Sequence, residues 1–566
     1  MKKYNRHFFL FMLLLVVRPA LASCFFHPDG EINEKIFLFT DRTLYISGEK
    51  VHFSATLFNS NDTVTAGQSR ILYCELITPD GIIVTNNKFL IHTLSAEGCI
   101  IIPDHQLTGT YYLRAYTKMM RQRGPQYYEY KQIRIINPRK PDVLVLENNQ
   151  DLLARQFIQT EQKGGNDLLT VSVEKELYAA RDTISLFYKE INGSSAKIKS
   201  LCLSVVPEYS KTPSTFYAAE KIQFQAETEF FPETRGLSIA GKLTEASSAI
   251  PIPDKRINLS IIGEGRDFMA TLTDSTGRFF FALPDYTGSR DLFLCAEKMP
   301  AKSLKIWVDN DFCTTPFRMP SPDFTLNEQE RRTAQNMAQN MQINSHFRNL
   351  IIPDSVDKNT DVLSFYGKPT TVLYLDKYIL LPTLEEYFNE LPSQVKVRKR
   401  KGESYFAVQA TNDLSFYDPL VLVDWVAVDE PAKILAVSPL NISRIEVVNE
   451  DYVKGGQTYG GIISIISKKG DFAGIDLPST GIFINYRFLA ENQCYEKDNE
   501  FLTMHPDARN TILWKPSLNS PKNQPEKIIL IAPDTPGKYS VTFEGITIDG
   551  KFFSISSGFE VESRKR

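Results

Sequence analysis

Histidine and cysteine are scarce in this 566-residue chain, with seven of each. No two histidines lie close enough in sequence to form a metal-ligand pair, and H-E-x-x-H and G-x-S-x-G motifs are absent. The cysteines include no C-x-x-C pair, which excludes zinc ribbons and thioredoxin-type redox sites. We therefore predict that the chain has no catalytic residues, no metal, no cofactor and no enzyme activity.

The chain also lacks an excess of one charge and a hydrophobic run of transmembrane length. Its 64 basic and 67 acidic residues give a net charge of −3, so it has no overall field that would attract nucleic acid. A segment from Gly236 to Lys242 mimics a phosphate-binding loop, but Leu243 replaces the Ser or Thr that would bind magnesium. We predict neither nucleic acid nor nucleotide as a partner.

The N-terminus has the features of an export signal. Basic residues precede ten apolar residues at 8–17, about half of what a transmembrane helix needs, and small residues follow up to Cys24. This pattern predicts a signal peptide over residues 1–23. Two processing routes fit it: ordinary cleavage before Ser23, or recognition of residues 21–24 as a lipobox. We favour the second, with Cys24 acylated and the mature chain anchored to a membrane.

Strand-like alternation dominates the chain after Cys24. It predicts a mainly β protein of tandem antiparallel β-sandwich domains with one small α+β domain. In residues 25–138, positions 39–51 resemble the "TDRxxYxPGExV" opening of macroglobulin-like domains of the α2-macroglobulin family, with Ser47 in place of proline. Ser47 and Gly48 are expected to form a turn, and Val51, Phe53 and Ala55 to face inward. The thioester motif of that family is absent, so covalent protease trapping is not implied.

Two further segments suggest β-sandwiches. Residues 142–228 resemble a second macroglobulin-like domain more weakly. Residues 236–312 resemble the carboxypeptidase regulatory-like sandwich, a small all-β fold without catalytic residues. There the resemblance places Asp274 and Gly277 in a hairpin turn and Phe279 and Phe281 in the core.

A helical linker is predicted over residues 322–348. Thr325 and Glu328 have the spacing of a capping box, and Ala334, Met337 and Met341 recur at helical spacing. A methionine stripe of this kind is typical of packing rather than of a cofactor site.

Residues 358–475 resemble the plug domain of TonB-dependent outer-membrane receptors in the order and spacing of several motifs. Thr383 would cap a short helix, and residues 418–426, 441–448 and 458–470 match the later motifs. The chain departs from the family at Trp425, where glycine is usual. The 91 residues after residue 475 are too few for the many strands of a receptor barrel, so we expect no complete transporter.

Residues 476–566 are predicted to form a final β-sandwich segment. The whole order resembles a family of exported Bacteroidota proteins of unassigned activity. Because plug domains normally contact a barrel interior and the periplasm, the plug resemblance implies a non-enzymatic scaffold or binding protein of the cell envelope whose plug-like domain docks to an outer-membrane protein. The alternatives are an accessory subunit of an outer-membrane transport or secretion machine that handles peptide or glycan, and a hydrolase. Because no acidic residues follow Cys24 directly, we expect a periplasm-facing outer-membrane lipoprotein.

One loop is the candidate partner site. It lies between two well-matched strands of the plug-like segment, is polar and contains glycine, and loops so placed commonly carry binding. Its candidate residues are Asn449, Glu450, Asp451, Tyr452, Gln457 and Tyr459.

Three local features leave alternatives open. Asp309 and Asp311 suggest calcium ligands or, more simply, a solvated turn. The four bases at residues 398–401 would suit anionic lipid, but a solvated hairpin edge is favoured. The pairs Cys74 with Cys99 and Cys295 with Cys313 are either disulfides or buried thiols.

Overall fold

A computed structural model of the chain describes residues 34–59, 68–145, 157–160, 168–191, 198–212, 216–219, 230, 232–262, 267–299, 302–315, 317–348, 364–391, 394–400, 402–409, 417–491, 506–520 and 524–562. Most of the elements are β-strands, and the sheets are largely antiparallel, which confirms the predicted fold class. In these ranges no helix has both the length and the apolar character needed to cross a membrane.

Unit 1 is a β-sandwich built from contiguous sequence. Its elements are β1 (Glu34–Thr40), β2 (Leu44–Ile46), β3 (Lys50–Asn59), β4 (Ile71–Ile77), β5 (Ile83–Leu90), β6 (Ser95–Ile101), β7 (Gly109–Tyr116), α1 (Lys118–Arg121) and β8 (Glu129–Ile136). One sheet has the order β1-β3-β6 and the other β2-β8-β7-β4-β5. Val51, Phe53 and Ala55 are buried, and Gly48 has a positive φ in the turn, so both expectations for this motif are confirmed.

Unit 2 begins after residue 145. Its first strands are β9 (Phe157–Thr160), β10 (Leu169–Val173), β11 (Leu177–Tyr178), β12 (Thr183–Glu190), β13 (Ile198–Pro207) and β14 (Phe216–Ala219). Strand β12 pairs with β10, and β9 pairs with β14. These strands do not complete the unit, because β11 and β13 pair with strands from the C-terminal part of the chain.

Unit 3 is a small sandwich. Its strands are β15 (Ser238–Glu245), β16 (Arg256–Ile262), β17 (Phe268–Leu272), β18 (Arg278–Ala282), β19 (Ser289–Ala296) and β20 (Leu304–Val308). Phe279 and Phe281 are buried, as predicted. Asp274 and Gly277 form the turn before β18, where the Asp274 side chain accepts a hydrogen bond from the Arg278 N–H and Gly277 has a φ of +76°.

Helix α2 (Glu328–Arg348) ends where the sequence predicted but begins six residues later. The predicted capping box of Thr325 and Glu328 is wrong. The Asn327 side chain accepts from the Glu330 N–H at 2.8 Å, and the Glu330 carboxylate accepts from the Asn327 N–H at 3.0 Å. Glu330 also forms an ion pair with Arg134 of unit 1 at 2.7 Å. This tertiary contact further stabilises a helix cap formed by Asn327 and Glu330. Met337 is fully buried, so the methionine stripe does serve packing.

Unit 4 covers the plug-like segment. Its elements are β21 (Thr371–Tyr374), α3 (Leu384–Glu390), β22 (Val395–Arg400), β23 (Glu403–Val408), β24 (Leu420–Val423), β25 (Val426–Ala427), α4 (Pro431–Leu435), β26 (Ile442–Val448), β27 (Tyr452–Lys454), β28 (Gln457–Tyr459) and β29 (Ile462–Ser467). The main sheet has the order β21-β26-β29-β24-β25. Val421 and Val423 pack in one core with α3 and α4, while Leu420 and Leu422 pack in another with Phe268 of unit 3. Thr383 caps α3 as predicted.

The chain then returns to complete units 3 and 2. The last strands are β30 (Ile482–Arg487), β31 (Leu513–Lys515), β32 (Glu526–Ile531), β33 (Gly537–Thr547) and β34 (Phe552–Val561). Strand β30 pairs with β19 of unit 3, whereas β32 pairs with β12 and both β31 and β33 pair with β13 of unit 2. The predicted separate sandwich over residues 476–566 is therefore wrong. Unit 4 is inserted into unit 3, and unit 3 is inserted into unit 2.

Neither proposed disulfide is present. Cys74, Cys202, Cys295 and Cys313 are free and buried. Burial raises the pKa of the Cys202 and Cys295 thiols to about 12, and that of Cys74 well above its usual value. Such thiols are poor nucleophiles at neutral pH. Cys99 is disulfide-bonded, and its partner lies outside the described residues.

Candidate functional site

The predicted partner loop folds into the β27–β28 hairpin. Gly455 and Gly456 form its turn with φ values of +58° and +75°. A Cβ atom on Gly455 would lie 1.6 Å from the Ala270 carbonyl oxygen, so only glycine fits there. The tip of this hairpin therefore packs directly on β17 of unit 3.

The two tyrosines of the loop lie in this intramolecular contact. Tyr452 packs against Phe365 with ring centroids 5.7 Å apart, and Tyr459 packs edge-to-face against Phe268 at 6.3 Å. Burial raises the pKa of Tyr452 and of Tyr459 to about 12. Tyr459 thus contacts unit 3 directly, and Tyr452 packs against the same apolar cluster, which includes Phe268 and Ala270 of unit 3.

The other candidate residues lie at two places. Gln457 is half-buried in the hairpin, opposite Lys454. The Asn449 N–H donates to the Thr370 hydroxyl at 3.4 Å. Glu450 and Asp451 come next in the chain and are exposed, so two carboxylates stand beside the start of β21. Cys24, the candidate lipidation site, lies outside the described residues.

An exposed apolar surface adjoins the other end of β21. Strand β21 is the last strand of its described sheet. Tyr374, Tyr378, Ile379 and Leu380 are 42%, 41%, 86% and 61% exposed. The Tyr387 hydroxyl donates to the Ile379 carbonyl oxygen at 3.2 Å and accepts from the Leu381 N–H at 3.3 Å, which fixes the segment. We call β21 with these four exposed residues the β21 edge.

Sequence reasoning missed the β21 edge although a signal was present. Residues 378–381 are four consecutive apolar residues directly before Pro382 and the capped helix α3. A run of consecutive apolar residues is unfavourable at a protein surface unless the residues serve a function. The predicted motif begins only at Thr383, so it does not include this run.

Ion pairs also fix unit 4 on unit 3. Arg256 of β16 lies 2.7 Å from Asp429, and Lys298 lies 3.1 Å from Glu430. Val426 of β25 packs in a small core with Phe293 of unit 3. Unit 4 thus contacts unit 3 through both polar and apolar groups.

A buried polar cluster, which we call the Arg42 joint, connects unit 1, α2 and the segment before β31. The Arg42 guanidinium donates to both Glu49 oxygens at 3.2 Å and to the Thr511 hydroxyl at 3.0 Å. That hydroxyl donates to Asp41 at 2.5 Å. The Asn510 amide donates to Glu49 at 2.7 Å and to a backbone carbonyl of α2 at 3.0 Å. The motif at residues 39–51 therefore meets a segment from the C-terminal part of the chain in one structural joint.

The electrostatics of this joint favour its charged form. Burial alone would raise the pKa of Asp41, but the Arg42 guanidinium beside it and hydrogen bonds from Thr511 and Tyr45 hold that pKa below its ordinary value. The guanidinium of Arg42 is correspondingly held protonated by Glu49 and Asp41, although burial opposes this. A carboxylate held ionised in this way is a poor general acid or base.

A second buried cluster, the Asp311 joint, connects unit 1 with the segments that flank unit 3. The Lys118 ammonium lies 3.0 Å from both Glu233 and Asp311, and the Lys88 ammonium lies 2.5 Å from Asp311. The Tyr73 hydroxyl donates to Glu233 at 2.8 Å. Burial would raise the pKa of Asp311, but Lys118 and Lys88 hold it well below its usual range. The expected solvated turn at Asp309 and Asp311 is therefore wrong for Asp311.

The remaining charged feature is the run of bases. Arg398, Lys399 and Arg400 lie exposed on β22, which pairs with β23 to form a two-stranded hairpin, as predicted. Lys401 lies outside the described residues. Among the residues that the structure describes, no group of three or more His, Cys, Asp or Glu side chains is arranged to hold a metal ion.

No protein-family model and no curated protein match the chain. Similar solved structures include Salmonella alpha-2-macroglobulin reacted with methylamine, at 9% identity and TM-score 0.16, covering 94% of this chain and 23% of that one. Trypsin-activated alpha-2-macroglobulin from Escherichia coli has 12% identity and TM-score 0.23, covering 94% and 42%. Yersinia pseudotuberculosis adhesin InvE has 13% identity and TM-score 0.13, covering 51% and 61%.

The chain spans less than half the length of these macroglobulins. TM-scores of this size establish no shared overall architecture. The β-sandwich character of units 1 to 3 therefore rests on their own sheets, and the macroglobulin-like, carboxypeptidase regulatory-like and plug-like assignments remain predictions from sequence motifs.

Proposed function

We propose that this chain is an exported, non-enzymatic binding or scaffold protein of the cell envelope. In this proposal acylated Cys24 anchors it to the outer membrane on the periplasmic side, and unit 4 docks to an outer-membrane protein. The β21 edge is the observation on which the docking proposal rests, because among the described residues β21 has a strand partner on one side only, and exposed apolar side chains adjoin it.

The described charged clusters support a scaffold rather than an enzyme. In both joints the buried carboxylates contact cations and hydroxyls of neighbouring units, not an open cleft. Groups arranged in this way fix the orientation of one unit against another. The nested insertion has the same consequence, since unit 3 joins unit 2 through two chain segments and unit 4 joins unit 3 through two.

The β21 edge suits one kind of partner. The outer side of an edge strand offers backbone donors and acceptors to an extended segment of another protein. Ile379 and Leu380 would receive apolar side chains at one end, and Glu450 and Asp451 would attract a basic residue at the other. The proposed partner therefore presents an extended apolar segment with a basic residue near one end.

Affinity capture from detergent-solubilised outer membrane tests this proposal. The double substitution Ile379→Ser with Leu380→Ser should abolish recovery of the outer-membrane protein that the wild type captures. Ile529→Ser is the matched control, because Ile529 is also 61% exposed but lies on β32 of unit 2. Equal recovery with all three proteins would refute docking through the β21 edge.

A further inference from the structure

The outer face of the sheet β18-β15-β20 in unit 3 carries an exposed tryptophan among basic residues. Trp307 is 51% exposed. The strand register places Lys242 directly opposite Trp307 and Arg278 opposite Lys242, so the three side chains form one row across the sheet. Lys305 lies two residues before Trp307 on the same face, opposite Thr244. We call these residues the Trp307 face.

The indole of Trp307 is held in place. Its Nε1–H donates to the Thr244 hydroxyl at 3.2 Å, and the Lys305 ammonium lies 3.7 Å from the ring centroid. The only hydrogen-bond donor of the ring is therefore already used within the protein. What the ring offers to a ligand is apolar surface that is already ordered, which reduces the entropy lost on binding.

The charge of this face is positive. Arg278 is balanced by Asp309 at 2.5 Å. Among the described residues, Lys242 and Lys305 have no carboxylate partner. Lys242 lies opposite Trp307 on the neighbouring strand, and the Lys305 ammonium lies over one face of the indole, so two cationic residues adjoin the ring.

We propose that the Trp307 face binds an acidic polysaccharide. The C–H face of a pyranose ring would stack on the indole face opposite the Lys305 ammonium, and carboxylates on neighbouring sugars would reach Lys242 and Lys305. Strand β20 is the last strand of its described sheet, so a long chain can continue past Trp307. This site lies on unit 3 and is independent of docking through the β21 edge.

Calorimetric titration of the intact protein with hexagalacturonate tests the proposal, with maltohexaose as the neutral probe of the same length. The wild type should bind hexagalacturonate in a salt-dependent way and bind maltohexaose far more weakly. Trp307→Ala should weaken binding by about tenfold or more. Lys242→Gln with Lys305→Gln should weaken it comparably and reduce the salt dependence.

The basic hairpin provides the matched control, since Arg398 and Lys399 are also exposed cations. Arg398→Gln with Lys399→Gln should leave hexagalacturonate binding unchanged. Loss of binding in this variant but not in Trp307→Ala would overturn the proposal, and so would absence of binding by the wild type or equal affinity for both probes. Circular dichroism of each variant separates lost binding from lost folding.

Discussion

At the scale of residues, buried charges fix the units together, and Asp311 is the clearest case. It is shared by two lysines that are almost completely buried. Removing one partner of such a cluster leaves uncompensated charge in a poorly solvated place.

We expect Asp311→Asn to lower the free energy of unfolding by about 3–5 kcal/mol. Urea unfolding at neutral pH measures this change. Asp309→Asn is the control, because Asp309 is more exposed in its ion pair with Arg278. Loss of this ion pair should lower the free energy of unfolding by less than about 1 kcal/mol. Equal effects of the two substitutions would contradict the structural role of the Asp311 joint.

The lowered pKa of Asp311 also predicts that the stability of the protein depends on pH. The pKa of Asp311 is lowered by folding, so its carboxylate stabilises the protein above the pKa of unfolded Asp, about 3.9. This contribution should be lost as pH falls below about 4 toward the folded-state pKa. Thermal unfolding midpoints should therefore fall less steeply with acid in Asp311→Asn than in the wild type. Parallel curves would exclude this coupling.

At the scale of elements, the β27–β28 hairpin shows why a polar glycine-containing loop was a misleading signal. The sequence predicted that this loop lies between strands, and it does. It could not show that the glycine turn approaches Ala270, because that contact joins residues almost two hundred positions apart. Glycine is needed at position 455 because the turn packs against the backbone of unit 3, and this requirement involves no external partner.

Two adjacent glycines provide a matched test. Gly455 and Gly456 both have positive φ, but only Gly455 would bring a Cβ atom into backbone of unit 3. Gly456→Ala should cost about 1–2 kcal/mol through backbone strain alone. Gly455→Ala should cost clearly more and should raise hydrogen exchange in β17 and β27. Similar exchange in the two variants would contradict the hairpin contact.

Strand identity was predictable, but strand partners were not. Alternation placed Phe53, Phe279 and Phe281 in cores, because the period of two assigns side chains to faces. It did not reveal that β33 pairs with β13, since pairing between residues more than 330 positions apart leaves no local pattern. The capping box failed for a similar reason, because the ion pair from Arg134 to Glu330 comes from another unit.

At the scale of the whole molecule, the nested insertion makes the C-terminal strands essential to unit 2. A chain that ends at residue 505 would lack β31 to β34, which supply half of the strands that form the two main sheets of that unit. We expect such a chain to lose the folded unit 2 and the Arg42 joint, seen as rapid proteolysis within residues 168–212. An independent C-terminal sandwich would instead leave that region protected.

We propose that the joined β-sandwiches of units 1 to 3 present unit 4 to an outer-membrane partner. Hydrogen exchange of the intact protein, alone and with the captured outer-membrane protein, tests it most directly. The account predicts new protection in residues 371–381 and at Glu450 and Asp451, with units 1 to 3 unchanged by docking. Protection confined to units 1 to 3, with residues 371–381 exchanging as in the free protein, would contradict it.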